Sequence, residues 1–357
     1  MKIFKILHIT LLLFILVGLF SYASSITVYT ITTASGPSYG VYANGKVYFI
    51  AQNSNELQVI QGDKIVENFS LPQYPHAVPF RITYDPNNQV FYIAYEKGPV
   101  IAWANGKVLG NYTIPDIGNY PAICYANGYV IVTASYGDKV YFINTGNNEV
   151  TSITVMSGPQ ALAYDNYTNI IYVGGFGSRL IYGISLNTLH IIYNFTINDT
   201  TVDAMTFVPP NIIAVATYEQ QVEFLNASTG KIISVISLPP SLTSVNGYSS
   251  MIYVPYNGLI YLSIAHKNNV IVAMNLTSIV NVITVGISPN GLVYDPINHY
   301  IYVMNYGSNS VSYFNLQSAT KPNMIFGINY TLFYTLIGIV VVVLVVIGIV
   351  VALRRRR

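Results

Sequence analysis

Seven short segments recur along the chain: AQNSNE, AYEKGP, SYGDK, GFGSR, TYEQQ, AHKNN and NYGSNS. Five carry an aromatic at the second position: Tyr95, Tyr136, Phe176, Tyr218 and Tyr306. Sparse charge collects in them as Glu96, Lys97, Asp138, Lys139, Arg179, Glu219, His266 and Lys267. A second series, Tyr74, His76, Tyr120, Asp199, Asp203 and Asn290, falls between repeats, and Arg81 stands in PFRITY. Rings with a few charges suit recognition, because they offer rigid contact area at low entropic cost. The same rings also suit packing of one element against the next, and the charges suit solvated loop ends.

Residues for bond-making chemistry are poorly arranged. His76, His190, His266 and His299 have no metal-ligand spacing, and no nucleophile elbow or phosphate loop occurs. Glu96 could meet Glu219 only through folding. The single cysteine, Cys124 in AICYANG, excludes an internal disulfide and reads as a core thiol. Trp103 in VIAWAN reads as core. The expectation is therefore no enzyme, with no catalytic residue, cofactor or metal. The binding candidates are Arg81, Tyr95, Glu96, Tyr136, Asp138, Phe176, Arg179, Tyr218, Glu219, His266 and Tyr306.

The ends of the chain dominate its charge. Charged residues are 8% of 357, and the net charge is +2. Lys2, Lys5 and Arg354 to Arg357 supply six positive charges; without them ten basic residues face fourteen acidic ones. No basic stripe marks a nucleic-acid binder. Residues 1–23 combine two lysines, an apolar run and the small-residue site Ser21-Tyr22-Ala23, the pattern of a signal peptide or an uncleaved anchor. Residues 332–353 are uncharged and, as a helix, long enough to span a bilayer. Arg354 to Arg357 then hold the C-terminus in the cytoplasm. The expected protein is single-pass in the cell membrane with its body outside. Its parts are a leader (1–23), an ectodomain (24–318), a linker (319–331), a transmembrane helix (332–353) and a basic stub (354–357).

Elements between these ends repeat. Aligning the aromatics that close short apolar runs (Tyr42, Tyr84, Tyr125, Tyr164, Phe207, Tyr253 and Tyr294) gives seven units of about forty residues, the length of a propeller blade. Each unit reads as four strands joined by turns such as Asn44-Gly45, Asn105-Gly106, Asn127-Gly128 and Asn257-Gly258, which suit tight hairpins. The seventh unit is one strand short, and ITVYTITT (Ile26 to Thr33) is one to spare. Both ITVYTITT and the end of the third unit continue through Ser-Gly-Pro into a first strand. Ile26 to Thr32 is thus expected to pair with Val311 to Asn315. The fold class is all-β: a seven-bladed β-propeller closed by an N-terminal strand in the last blade, plus one C-terminal transmembrane helix.

IYVMNYGSNSVSYFN (Ile301 to Asn315) resembles the YVTN-type β-propeller repeat, and IIYVGGFGSRLIYGIS (Ile170 to Ser185) is a weaker copy. Such repeats belong to archaeal surface-layer-like proteins, YncE-like exported proteins and lactonase relatives. The resemblance implies a fold and only loosely a function; the short linker, which would hold the body close to the membrane, favours an envelope role in protein or glycan recognition, with a hydrolase or lactonase-like activity at the channel mouth as the alternative. With the low charge, it suggests an acidophilic archaeon, because few carboxylate pairs stand to be lost in acid. In a propeller, turns between second and third strands share one face with the blade-joining segments, which gathers the binding candidates there. Sequons at Asn68, Asn111, Asn166, Asn194, Asn198, Asn226 and Asn275 are glycosylation candidates in an exported chain, while the eighth, at Asn329, stands too close to the expected membrane helix.

Overall fold

Each unit is driven into a sheet by alternating or continuous runs of Val, Ile and Tyr broken by turn residues. The computed structural model describes residues 26–242, 250–264, 269–316, 324–325 and 328–329. The expected leader, spanning helix and stub, and most of the linker, lie outside the described residues. Among the described residues no helix is long and apolar enough to cross a membrane.

Blade 1 runs outward through Pro37–Ala43, Lys46–Ala51, Glu56–Gln61 and Lys64–Ser70. Its first hairpin turns on Asn44 (φ 51°) and Gly45 (φ 78°), both left-handed as a primed turn requires. Asn105-Gly106 and Asn127-Gly128 do the same. At Asn257-Gly258 only the glycine is left-handed; Asn257 instead accepts the Leu259 N–H and donates to the Tyr261 hydroxyl. In blades 2, 4 and 7 the corresponding turn is capped by a buried aspartate. Asp85, Asp165 and Asp295 each accept two backbone N–H groups and a side-chain donor.

Seven four-stranded sheets form among the described residues. Their innermost strands pack each against the next, and Pro289–Asp295 of blade 7 returns against Pro37–Ala43 of blade 1. That last approach depends on Gly291: a Cβ there would lie 2.6 Å from the Ser38 carbonyl oxygen. The spare strand closes the ring. Tyr29–Thr32 lies antiparallel to Ser310–Asn315, with Tyr29 opposite Tyr313 and Thr32 opposite Ser310. The pairing matches the expectation, over four residues rather than seven. Thr27–Asn315 forms one compact unit. Separately, Met324–Ile325 pairs with Ile328–Asn329.

Apolar side chains fill the gaps between blades. Second-strand tyrosines Tyr92, Tyr172, Tyr261 and Tyr302 are at most 3% exposed. The hydroxyls of Tyr172 and Tyr302 reach the next blade, donating to Ala227 O and Gly62 O at 2.8 Å. Burial pushes all four phenols above their ordinary range. Trp103 is core, edge-on to Phe69. Burial raises the Cys124 thiol to about 12, so it is inert at neutral pH.

Candidate functional site

The mouth of the channel is shaped by a repeated irregularity. Innermost strands of five blades carry a bulge near their first residues: between Pro37 and Gly40, Pro79 and Arg81, Pro159 and Ala161, Val202 and Ala204, and Pro289 and Leu292. A bulge re-aims side chains. Some of those at the mouth tie blades together: Ser38 Oγ donates to Phe80 O at 3.1 Å, and Gln160 Nε2 to Val202 O at 2.9 Å.

Arg81 is different. It is half-buried on Val78–Asp85, as its place in PFRITY predicts. Its guanidinium lies 4.2 Å from the Tyr39 ring centroid and 5.6 Å from that of Phe80. Nη2 donates to the Tyr39 hydroxyl at 3.1 Å, while Nε is buried without a hydrogen bond. Among the described residues the ion pair is Lys46–Glu67, and Arg81 has no carboxylate within 4 Å. Leaving a buried donor without a partner costs about 1–3 kcal/mol.

Around Arg81 stands a wall of rings. Phe80 is edge-on to Tyr39 at 5.0 Å and to Tyr120 at 5.7 Å. Tyr120 is 60% exposed, with a left-handed backbone (φ 55°) that a bulky residue seldom adopts. Glu96 holds it there by accepting the Tyr120 N–H at 3.0 Å. Desolvation raises the Glu96 carboxyl above its ordinary value; the Tyr120 N–H, Lys97 and Arg81 pull it back. Lys97 donates its N–H to Gly118 O and lines a neighbouring cleft of about 500 Å³ with Tyr74, Asn111, Asp116 and Tyr136.

The other candidates scatter. Tyr95 is fully buried, edge-on to Tyr74 and bonded to Pro72 O, so the expected platform is a packing residue. Tyr136, Phe176 and Tyr218 are exposed, and Tyr306 donates to Asn53 Oδ1. No ring contact joins these four among the described residues. Asp138 accepts the Gly158 N–H and so orders a blade-joining segment. Arg179 donates to Asn198 O, and the Glu219 N–H goes to Asp199. His266 lies outside the described residues.

One constellation was hidden in the sequence. Glu223 is fully buried and accepts the Asn198 N–H, while neighbouring Asp199, 3% exposed, accepts N–H groups from Thr200 and Glu219. Desolvation chiefly, with Asp199 adding, raises the Glu223 carboxyl. Folding thus gathers Glu223 and Asp199, the Glu96–Glu219 pairing being absent from the contacts among the described residues. Among them no group of three or more His, Cys, Asp or Glu could hold a metal ion. The signal missed was Glu223 itself, a charge between the apolar residues Val222 and Phe224 of the third strand, QVEFLN.

The fold defines a seven-bladed β-propeller, and solved structures share it. A virginiamycin B lyase from Staphylococcus aureus matches with TM-score 0.70 at 14% identity, over 82% of this chain and 99% of its own. A streptogramin B lyase matches with TM-score 0.69 at 15% identity, over 82% and 98%. A chain of the mitotic checkpoint complex matches with TM-score 0.69 at 10% identity, over 82% and 92%. No protein-family model and no curated protein matches the sequence, so the YVTN-type resemblance gains no support there. The expectation of no enzyme is corrected: lyases share this fold over nearly their whole length. At such identities the likeness establishes the fold alone, and the fold does not decide activity.

Proposed function

We propose that this chain is an envelope propeller whose channel mouth binds a ring-shaped organic acid, best matched by the acidic sugar units of surface glycans. The carrying observation is Arg81, whose guanidinium rests on Tyr39 without a carboxylate partner among the described residues. A guanidinium fork fits a carboxylate in two parallel hydrogen bonds. Tyr120 offers an exposed flat face to a sugar ring, and Glu96 offers an acceptor for hydroxyls. Placement at the membrane is supported by the leader-like residues 1–23, the apolar run 332–353 and Arg354 to Arg357.

A second reading, chemistry at the same mouth, is favoured by Glu96. A carboxyl raised above its ordinary value by desolvation, with Lys97 and Arg81 nearby, suits a proton-transfer role. Calorimetric titration with a galacturonate trimer and with the neutral galactose trimer tests the binding reading. Binding of the acidic trimer alone is expected; equal binding of both, or of neither, refutes it. Cleavage of the acidic trimer during the titration, seen by mass spectrometry, selects the second reading.

A further inference from the structure

The outermost strands carry a pattern that the channel mouth does not use. In five blades the third strand and the outermost strand pair with a register shift at one place: after Val59, Ala102, Gly183, Phe224 and Ala273. One residue before the shift, the partners on the outermost strand are Asn68, Asn111, Asn194, Val235 and Val282. The position is therefore geometrically equivalent around the rim. In blades 1, 2 and 4 it holds the asparagine of a sequon: Asn68-Phe69-Ser70, Asn111-Tyr112-Thr113 and Asn194-Phe195-Thr196.

Strand geometry sorts each triplet by face, since residues two apart point the same way. All three asparagines and their hydroxyl partners are exposed. The aromatic between them turns inward: Phe69 against Trp103, Tyr112 to Asn148 Oδ1, and Phe195 to 7% exposure. Ser237 and Thr284 occupy the hydroxyl position of blades 5 and 6, so the hydroxyl belongs to the strand pattern. Asparagine is what distinguishes the three blades. The other candidates stand elsewhere: Asn226 and Asn275 close turns through Oδ1, the Asn198 backbone N–H goes to buried Glu223, and exposed Asn166 sits in the first hairpin turn of blade 4.

We propose that Asn68, Asn111 and Asn194 carry N-linked glycans along one arc of the rim, while the Val235 and Val282 arc stays bare. Transfer forms a bond from the amide Nδ2 to C1 of the sugar and breaks the C1–O bond of a polyprenyl-phosphate-linked donor. The phosphate leaves with the electron pair, and one amide proton passes to base. The modified amide keeps one N–H, so Asn111 can still donate to the Tyr74 hydroxyl, 3.0 Å away. Each glycan starts from an exposed asparagine.

This inference rests on the export in the proposed function. The full chain, expressed in an N-glycosylating secretory host, is treated with amidase in heavy-oxygen water and mapped by mass spectrometry. Labelled aspartate at the three positions is expected. Asn68→Gln, Asn111→Gln and Asn194→Gln should each remove one step of gel mobility, and the triple variant all three. Val235→Asn and Val282→Asn should each add a step, because they complete a sequon at the equivalent place. An exported chain unmodified at these residues overturns the rim assignment alone. An unmodified chain retained inside the cell overturns the export reading and the inference with it.

Discussion

Two charged clusters lie on the loop-bearing end of the propeller and handle charge in opposite ways. At Asp199 and Glu223, blade 5 buries two carboxylates and meets them with backbone N–H groups. At Arg81, the mouth keeps a cation half-buried, stacked on Tyr39, with one donor unused. Both arrangements cost desolvation. The first recovers part of it inside the protein, by stitching the blade 4–5 connection to blade 5. The second leaves part of it unrecovered. The carboxylates are tied into the architecture, whereas the Arg81 Nε stays unpaired, the feature on which the proposed ligand site rests.

The largest effect that sharpens this contrast belongs to the mouth. Arg81→Met should lower affinity for the galacturonate trimer about 100-fold, the loss of a charge-assisted pair. The melting temperature should stay within about 2 °C, because the methionine still packs on Tyr39 and Phe80. Next comes its mirror image. Asp199→Ala strands the Thr200 and Glu219 N–H groups and should cost about 2–3 kcal/mol in urea unfolding, with trimer affinity unchanged. Loss of affinity in the second variant, or of stability alone in the first, would dissolve the contrast.

Acidity probes the same division. The folded carboxyl of Glu223 is raised, so the folded state holds its proton more tightly than the unfolded state does. Its contribution is therefore fully present below the ordinary carboxylate range and lost as pH rises through the raised value. Glu223→Gln should melt higher than the parent at pH about 7, and the gain should vanish near pH 4. A gain that persists in acid points to packing instead. The smallest effect is Tyr120→Leu, with about a five-fold loss of affinity from the missing ring face. An unchanged affinity would remove Tyr120 from the site.

Much of this was legible in the chain itself. Spacing of the aromatics set seven blades, and the shared Ser-Gly-Pro passage placed ITVYTITT in the last one, where Tyr29–Thr32 indeed pairs. Arg81 stood out because a cation in an innermost strand has few places to go but the channel. Tyr95 was misjudged because a strand-ending aromatic at a turn looks the same whether it faces solvent or the Tyr74 ring. Tyr39, Phe80 and Tyr120 as one wall, and Asp199 with Glu223, were beyond reach. Each group joins different blades, and period-two patterning says which face a residue takes without saying what the next blade presents to it.

A crystal structure of the protein soaked with the galacturonate trimer shows where the acid sits. A carboxylate is expected within about 3 Å of the Arg81 guanidinium, with a sugar ring over Tyr120. A trimer seated instead in the cleft between Tyr74 and Tyr136, with Arg81 untouched, would contradict it.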